Sequence, residues 1–319
     1  MSDRPAEGGA PERIAVLGAG LMGHGIAQVF AVAGHDVVVQ DPFPEALASV
    51  HERVAANLER LGLPAAAVER ISTCDDAGDA VGAADFVFEA APEDVALKQE
   101  LIERVTAAAP PGAIIASNTS SMPVAVYSER AHGRERMVGA HWWNPPYLIP
   151  LVEVVAGADT SPATVEATIE LLSRVGKLAV HVRKDVPGFI ANRLQHALWR
   201  EAMALVQDGI CDAETVDLCI KNSFGLRLPI MGPLETADLN GLDMILAIHE
   251  QILPSIDRTP GPLPILKDKI AAGDLGMKTG RGFLDWTPDE AAAARRGLTD
   301  HLIAALAARA AEAGAAADR

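Results

Sequence analysis

Residues 14–23, Ile-Ala-Val-Leu-Gly-Ala-Gly-Leu-Met-Gly, run an apolar strand into a glycine-rich turn and then into a helix. Gly18, Gly20 and Gly23 have the G-x-G-x-x-G spacing of a dinucleotide-binding turn. The first glycine permits a tight turn, the second lets the backbone approach a pyrophosphate, and the third lets the helix pack closely on the strand. The N-terminus of the helix offers free N–H groups to the phosphates. The residues expected at the cofactor phosphates are Gly18, Gly20, Leu21, Met22 and Gly23.

An acidic residue follows the glycines at the distance expected for a ribose contact. A second apolar run at residues 37–39 ends close to Asp41. In dinucleotide sites an acidic side chain about 20 positions after the glycines binds the adenosine ribose hydroxyls. The alternative is an ordinary strand–helix–strand turn with a solvated aspartate. Pro42 and Phe43 follow directly, with no arginine to receive a 2′-phosphate, so the pattern favours NAD over NADP.

The composition limits the class of protein. The chain has 319 residues, of which 49% are apolar, enough for two domains with real cores. A formal net charge of −16 disfavours binding to nucleic acid or to anionic membranes. No apolar run reaches the length of a membrane span, and residues 1–11 lack a signal core and are predicted to be a disordered lead-in. Three cysteines without paired spacing indicate free thiols in a reducing cytoplasm.

The order of predicted elements indicates the fold class. Strands alternate with helices up to about residue 186, and only helical periodicity follows. The sequence therefore predicts an α/β, Rossmann-type doubly wound, mainly parallel sheet at residues 12–186 and a second, all-α domain at 187–319, including an alanine-rich extension after Trp286. The clearest helical runs of the second domain are 189–208, 213–222 and 236–253. After the first two strands of the sheet, the predicted strands are 71–73, 85–89, 113–116, 136–140, 151–155 and 178–182.

Polar side chains cluster where predicted strands end or where the second domain opens. These groups are residues 117–121, His141 with Asn144, Glu153 and Asn192. An NAD enzyme that oxidises an alcohol needs a base whose pKa lies near the working pH, and an imidazole meets that need. A carboxylate such as Glu153 would fix the far ring nitrogen of His141 and stabilise the imidazolium. A nearby hydroxyl or amide would polarise the reacting oxygen.

Several segments, in order along nearly the whole chain, resemble successive motifs of the 3-hydroxyacyl-CoA dehydrogenase family. They are Ser-Asn-Thr-Ser-Ser at 117–121, His-Trp-Trp-Asn-Pro at 141–145, Leu-Val-Glu-Val-Val at 151–155, Pro-Gly-Phe-Ile-Ala-Asn-Arg-Leu at 187–194 and Met-Gly-Pro-Leu-Glu at 231–235. A glycine-rich segment at 276–283 is similar to the family's closing segment. The resemblance implies NAD as cofactor, a small-molecule 3-hydroxyacyl substrate and a homodimer formed through the C-terminal helical domain.

The resemblance also implies roles for single residues. Ser120 would hydrogen-bond the substrate oxygen, His141 would be the general acid and base, and Glu153 would orient it. Asn192 would position substrate and cofactor, and Asn144 would support the substrate site. Further cofactor contacts would come from Asn118 and from Glu89, an acidic residue near the nicotinamide side.

Three local questions stay open in the sequence. Ser121 is the nearest rival of Ser120, because the sequence does not say which hydroxyl faces the crevice. Trp142 and Trp143 either line a substrate pocket or fill the core. Lys98 is interpreted as a solvated charge on a helix.

The substrate is less sharply indicated than the reaction. In the acyl-CoA branch the segment after the ribose aspartate supplies basic residues toward the CoA phosphates, whereas residues 43–72 contain no lysine, only Arg53, Arg60 and Arg70. Residues 144–147, 192–195 and 232–236 resemble the lambda-crystallin and L-gulonate 3-dehydrogenase branch, which oxidises free 3-hydroxy acids. Residues 241–243 and the length of the 43–72 segment resemble the acyl-CoA side. We favour a 3-hydroxyacyl-CoA such as 3-hydroxybutyryl-CoA, in fatty acid metabolism.

Other functions remain as alternatives. A free-acid dehydrogenase of the L-gulonate or carnitine type and a polyketide-type ketoreductase share the scaffold. A lysine-dependent hydroxy acid dehydrogenase would need a lysine on the helix at 189–208, which has none. An inactive, crystallin-like NAD-binding protein would predict damage to the Ser120, His141, Glu153 and Asn192 set, which is intact.

Overall fold

The structure, a computed structural model, describes residues 11–317 and forms two compact units. Residues 1–10, which hold nearly all of the predicted lead-in, lie outside the described part. Within the described residues, the first unit runs to Asn192 and includes residues 300–317, and the second comprises Arg193–Thr299. The first compact unit extends a few residues past 186, because Glu153 holds the backbone of residues 190 and 191. The domain bounds of 12–186 and 187–319 stay a prediction. The last segment also groups with the first unit, where Asp300 pairs with Arg60 at 2.7 Å.

The first unit is built on one eight-stranded sheet with the order β3-β2-β1-β4-β5-β6-β7-β8. All neighbouring strands are parallel except β6 and β7, which are antiparallel. The predicted α/β class with a mainly parallel sheet is confirmed. The strands are β1 Arg13–Leu17, β2 Asp36–Gln40, β3 Ile71–Cys74, β4 Phe86–Glu89, β5 Ile114–Ser117, β6 Met137–Trp142, β7 Leu151–Val155 and β8 Leu178–Val182.

Helices flank the sheet and make up the second unit. The first group is α1 Gly23–Val32, α2 Pro44–Ala48, α3 Val50–Leu61, α4 Ala77–Val81, α5 Val95–Ala108, α6 Val124–Tyr127 and α7 Pro162–Arg174. The second group is α8 Ala191–Gln207, α9 Ala213–Lys221, α10 Pro233–Asn240, α11 Leu242–Ile252, α12 Pro264–Ala271 and α13 Pro288–Ala317. Short 3-10 turns lie at Ala65–Arg70, Arg134–Arg136 and Phe224–Leu226.

Local chemistry explains where two helices begin and end. Ser161 caps α7 by accepting a hydrogen bond from the backbone of Thr164, and Pro162 occupies the first turn, as predicted. The predicted helix at 236–253 is instead two helices, α10 and α11. Gly241 separates them with a φ of 92°, a backbone conformation that no right-handed helix contains.

The middle of the sheet is buried on both faces, as expected for parallel strands covered by helices. One face packs Phe30 of α1 against Phe88 of β4, with ring centroids 4.8 Å apart, and Trp142 of β6 lies 6.0 Å from Phe88. Trp142 is only 2% exposed, so this tryptophan fills the core. Burying each such side chain stabilises the fold by roughly 1.5–3 kcal/mol. The packing fixes the positions of the strand ends that carry the polar residues. In the described part of the chain no helix combines the length and apolar character needed to cross a membrane.

Candidate active site

The glycine-rich turn between β1 and α1 has the shape that a dinucleotide phosphate needs. Gly18 has a φ of 101°, and a Cβ added at Gly23 would lie 1.7 Å from the carbonyl oxygen of Gly18. Only glycine therefore fits at the third position without moving the turn. A Cβ added at Gly20 would meet no atom within 4 Å, which leaves room for a ligand at the turn. This open space at the N-terminus of α1 fits the pyrophosphate of NAD.

Asp41 is fixed beside this turn by two backbone hydrogen bonds. Its Oδ2 accepts the N–H of Ala19 at 2.8 Å, and its Oδ1 accepts the N–H of Phe43 at 3.0 Å. Each carboxylate oxygen keeps a further lone pair, which suits contact with ribose hydroxyls. Arg53 of α3, which the sequence did not place here, donates to the carbonyl oxygens of Ala19 and Gly20 at 3.0 and 3.3 Å. Nothing local in the sequence indicates this contact across more than thirty residues.

Asn118 joins two neighbouring strand ends. Its Oδ1 accepts the backbone N–H of Trp142 at 2.8 Å, and its own backbone N–H donates to the carbonyl of Glu89 at 2.7 Å. The residue is therefore part of the frame at the carboxyl end of the sheet, where doubly wound folds bind their ligands.

His141 and Glu153 lie directly opposite each other on the antiparallel strands β6 and β7. His141 Nδ1 is 2.8 Å from Glu153 Oε2, and the two residues are 5% and 0% exposed. The sequence predicted neighbouring strand ends, and the antiparallel register makes them a cross-strand pair. Donation from Nδ1 to the carboxylate leaves Nε2 with the lone pair that a general base needs.

Glu153 also holds the first turn of α8. Its second oxygen, Oε1, accepts the backbone N–H groups of Ile190 and Ala191 at 2.9 and 3.1 Å. Burial alone would raise the pKa of Glu153, but the hydrogen bonds from His141, Ala191 and Ile190 outweigh it and the pKa lies below its ordinary value. The carboxylate is therefore charged, and both of its oxygens are acceptors with assigned partners.

Two aromatic rings border the imidazole of His141. The ring centroid of Trp143 is 5.3 Å away and that of Phe189 is 5.5 Å away. Phe189 is 2% exposed and has a φ of 49°, which is uncommon for a residue with a side chain. The two tryptophans thus differ: Trp143 lies at the imidazole, whereas Trp142 belongs to the core. The rings restrict the orientation of His141 and the access of water to it.

Ser120 meets Asn192 and an acid that the sequence did not single out. The side chain of Asn192 donates from Nδ2 to the carbonyl oxygen of Ser120 at 3.2 Å. Glu93 Oε1 accepts the backbone N–H of Ser120 at 2.7 Å and its hydroxyl at 3.2 Å. Ser121 is exposed and makes no such side-chain contact within the described residues. The geometry thus brings Ser120 rather than Ser121 to Asn192. Glu93 directly precedes Asp94, which caps α5, and no local sequence pattern indicates that Glu93 contacts Ser120.

Glu89, at the end of β4, is buried and has partners within the protein. The side chain is 0% exposed, and its Oε1 accepts Lys98 Nζ at 2.7 Å and the N–H of Ala91 at 2.6 Å. Its Oε2 accepts the hydroxyl of Ser117 at 2.5 Å. Internal donors thus reach both oxygens of Glu89, and its contact with the cofactor stays a prediction. The interpretation of Lys98 as a solvated charge was wrong: this lysine is 1% exposed and pairs with a buried acid, as buried charges do.

Asn144 stays apart from the group around His141. It is exposed in the loop between β6 and β7, and its side chain forms no hydrogen bond with another described residue. The structure thus assembles His141, Glu153, Ser120 and Asn192 through a short series of contacts but does not bring Asn144 to them.

The comparison with known protein families agrees with this geometry. Residues 13–186 match the family model of the 3-hydroxyacyl-CoA dehydrogenase NAD binding domain, and residues 188–286 match that of the C-terminal domain. The chain belongs to the 3-hydroxyacyl-CoA dehydrogenase family. It is an NAD-dependent dehydrogenase, and the predicted family, cofactor and enzyme class are confirmed.

Relatives of this family member act on different molecules. The chain is 36% identical over 296 residues to 5-formyl-3-hydroxy-2-methylpyridine 4-carboxylate 5-dehydrogenase of Mesorhizobium japonicum, covering 91% of this chain and 96% of the relative. It is 45% identical over 233 residues to L-carnitine dehydrogenase of Pseudomonas aeruginosa, covering 71% and 72%. The solved structure of (S)-3-hydroxybutyryl-CoA dehydrogenase from Ralstonia eutropha has a TM-score of 0.73 and 34% identity, covering 87% of this chain and all of that one.

Proposed function

We propose that this dehydrogenase oxidises a small, free hydroxy acid and uses His141 as its general base. The observation that carries the mechanism is the buried hydrogen bond between His141 Nδ1 and Glu153 Oε2, 2.8 Å long. Imidazole Nε2 takes the proton of the substrate hydroxyl, and the carboxylate of Glu153 stabilises the imidazolium that forms. The chemistry that NAD would supply when bound at the glycine-rich turn and Asp41 is that of a hydride acceptor. Ser120 and Asn192 hold the reacting oxygen.

The choice of a free acid over a CoA thioester is supported by the basic residues of the 43–72 segment. All three already have partners in the first unit. Arg53 donates to two backbone carbonyls, Arg60 pairs with Asp300 at 2.7 Å, and Arg70 pairs with Asp36 at 3.1 Å. The segment also contains no lysine. It therefore offers little uncommitted positive charge to the phosphates of CoA, on a chain whose net charge is −16.

The relatives with pyridine carboxylate and carnitine in their names support the same choice, because both molecules are small free acids. The second candidate is the 3-hydroxyacyl-CoA thioester that the sequence favoured. The likeness to the 3-hydroxybutyryl-CoA dehydrogenase structure supports it. The three free cysteines support a reducing, cytoplasmic setting for either reaction.

A matched pair of substrates separates the two candidates. We expect NAD reduction with L-carnitine or with (S)-3-hydroxybutyrate to exceed that with (S)-3-hydroxybutyryl-CoA by about tenfold or more in kcat/KM, a difference of roughly 1.4 kcal/mol. The free and the CoA-linked hydroxybutyrate share the reacting atoms, so their ratio isolates the contribution of CoA. A higher kcat/KM with the thioester would restore the acyl-CoA assignment. Absence of turnover with all three would refute the proposal.

We also propose that the enzyme is a homodimer through its helical unit. Large apolar side chains are exposed to solvent on α10, on α11 and in the turns directly before α10. Exposed fractions are 83% for Ile230, 80% for Leu234, 68% for Leu239 and 61% for Leu246. Soluble monomers rarely expose such apolar surface over neighbouring elements. In a closed two-fold dimer the same surface of both subunits forms the interface. A second copy of the chain would therefore cover this apolar face with its own.

Light scattering tests the dimer. The wild type is expected to have twice the mass of one chain, and Leu246→Glu is expected to shift it toward the monomer, because a charge would enter the apolar interface. Leu178→Glu is a matched control, since Leu178 is equally exposed at 61% but lies on β8 of the sheet. A monomeric wild type, or dissociation by the β8 variant alone, would contradict this interface.

A further inference from the structure

A half-buried lysine lies beside the strands that carry His141 and Glu153. Lys177 follows α7 and directly precedes β8. Its Nζ donates to the carbonyl oxygens of Pro146 and Ile149 at 2.5 and 3.0 Å, and it lies 5.4 Å from the ring centroid of Trp142. Within the described part of the chain no carboxylate pairs with this ammonium. Burial lowers the pKa of Lys177 to about 8. Carbonyl dipoles and an aromatic face thus compensate a cation that an acid would usually compensate.

The two carbonyls belong to one loop, residues 143–150, which connects β6 to β7. Its first residue, Trp143, lies at the imidazole of His141, and the strand that follows the loop carries Glu153. One bond of Lys177 reaches the middle of the loop and the other reaches its end. The ammonium therefore cross-links two points of the segment that joins the base to its supporting acid.

The opposite side of the loop packs against the helix that follows the glycine-rich turn. A Cβ added at Gly25 of α1 would lie 3.0 Å from Pro146 Cδ and 3.3 Å from Tyr147 Cδ1. The loop is thus confined between α1 on one side and the ammonium of Lys177 on the other. Small displacements of the loop are resisted from both directions, which is what a rigid support of a reacting group requires.

We propose that Lys177 is a positioning residue for catalysis, which holds the loop 143–150 so that Trp143 and the His141–Glu153 pair keep their geometry. The catalytic part of this inference rests on the proposed role of His141. Lysine suits the task because one ammonium offers three donors from a single point and can serve two carbonyls and an aromatic face together. A side chain of similar length without donors would leave both carbonyls without this partner in a partly buried place, which is costly.

Two variants of Lys177 and one control test the inference. Lys177→Met keeps the apolar stem and removes the donors, and Lys177→Arg keeps a cation that donates. Lys184→Met is the control, because Lys184 is an exposed lysine that follows the same strand. We expect Lys177→Met to lower kcat by about ten- to a hundredfold, the effect of a displacement on the order of 1 Å at a reacting group. The arginine variant is expected to recover part of this loss, and the control to match the wild type.

Hydrogen–deuterium exchange of residues 143–150, measured without substrate, supplies the second readout. Exchange in this loop is expected to accelerate in Lys177→Met and to stay unchanged in the control. Unchanged exchange would overturn the structural contact. Faster exchange with an unchanged kcat, well below the unfolding temperature, would overturn the positioning role while leaving the proposed function intact. If the wild type itself showed no turnover with the proposed substrates, the proposed function would be refuted. The hydrogen–deuterium exchange would still show whether Lys177 holds the loop.

Discussion

Replacement of His141 by glutamine is expected to lower kcat by about two to four powers of ten while NAD affinity stays nearly unchanged. Glutamine is polar and of similar length, but it offers no basic nitrogen at the pH of the reaction. NAD affinity is expected to persist because His141 lies on β6, whereas the glycine-rich turn and Asp41 lie at β1, α1 and the end of β2. Steady-state kinetics give kcat, and NADH fluorescence titration gives the affinity.

His132→Gln is the matched control for this experiment, because the side chain of His132 is exposed and lies outside the group at Glu153. It is expected to behave as the wild type in both measurements. If His141→Gln reduced cofactor affinity and turnover to the same extent, the imidazole would have a structural role and the proposed base would be wrong.

Replacement of Glu153 by glutamine is expected to damage both turnover and stability. Both oxygens of Glu153 accept hydrogen bonds, one from His141 and the other from the backbone of Ile190 and Ala191. A glutamine has one acceptor oxygen and one donor nitrogen. If its oxygen keeps the N–H groups of Ile190 and Ala191, its NH2 group faces Nδ1 of His141, so the imidazole either loses this hydrogen bond or moves its proton to Nε2 and can no longer act as the base. We expect kcat to fall by about a hundred- to ten-thousandfold, as for a triad acid replaced by its amide. The free energy of unfolding should fall by roughly 1–3 kcal/mol.

The prediction for the free energy of unfolding of Glu153→Gln also has a defined pH dependence. Because the folded-state pKa of Glu153 lies below its ordinary value of 4.5, its stabilising effect is complete above that value and is lost as the pH falls through the folded-state pKa. Denaturant unfolding of wild type and Glu153→Gln should therefore differ most near pH 7 and converge in acid. Glu166→Gln, at an exposed position on α7, is the control. A difference that widens in acid, or an unchanged kcat, would contradict the assigned role.

The features that the sequence predicted well are those with local signals. The glycines at 18, 20 and 23 and the apolar strands are contiguous patterns, and they were sufficient to predict the sheet and its cofactor. The features that it missed depend on distant pairing. The burial of Lys98 follows from how α5 docks over the end of β4, which no periodicity along α5 indicates. The contact of Glu93 with Ser120 and that of Arg53 with Ala19 likewise join residues about thirty positions apart.

The pairing of β6 with β7 shows the same limit. The sequence indicated two strands and two polar residues, but the direction of the second strand depends on the loop between them. Its antiparallel return places Glu153 directly opposite His141. The extension of the first unit as far as Asn192 also depends on distant pairing, since Glu153 anchors residues 190 and 191.

The double use of one carboxylate also limits how this enzyme can be altered. The carboxylate at position 153 supports the imidazole with one oxygen and the start of a long helix with the other. A substitution there that changes activity would therefore also change how well the protein folds. A laboratory evolution campaign would therefore find few tolerated exchanges at that position.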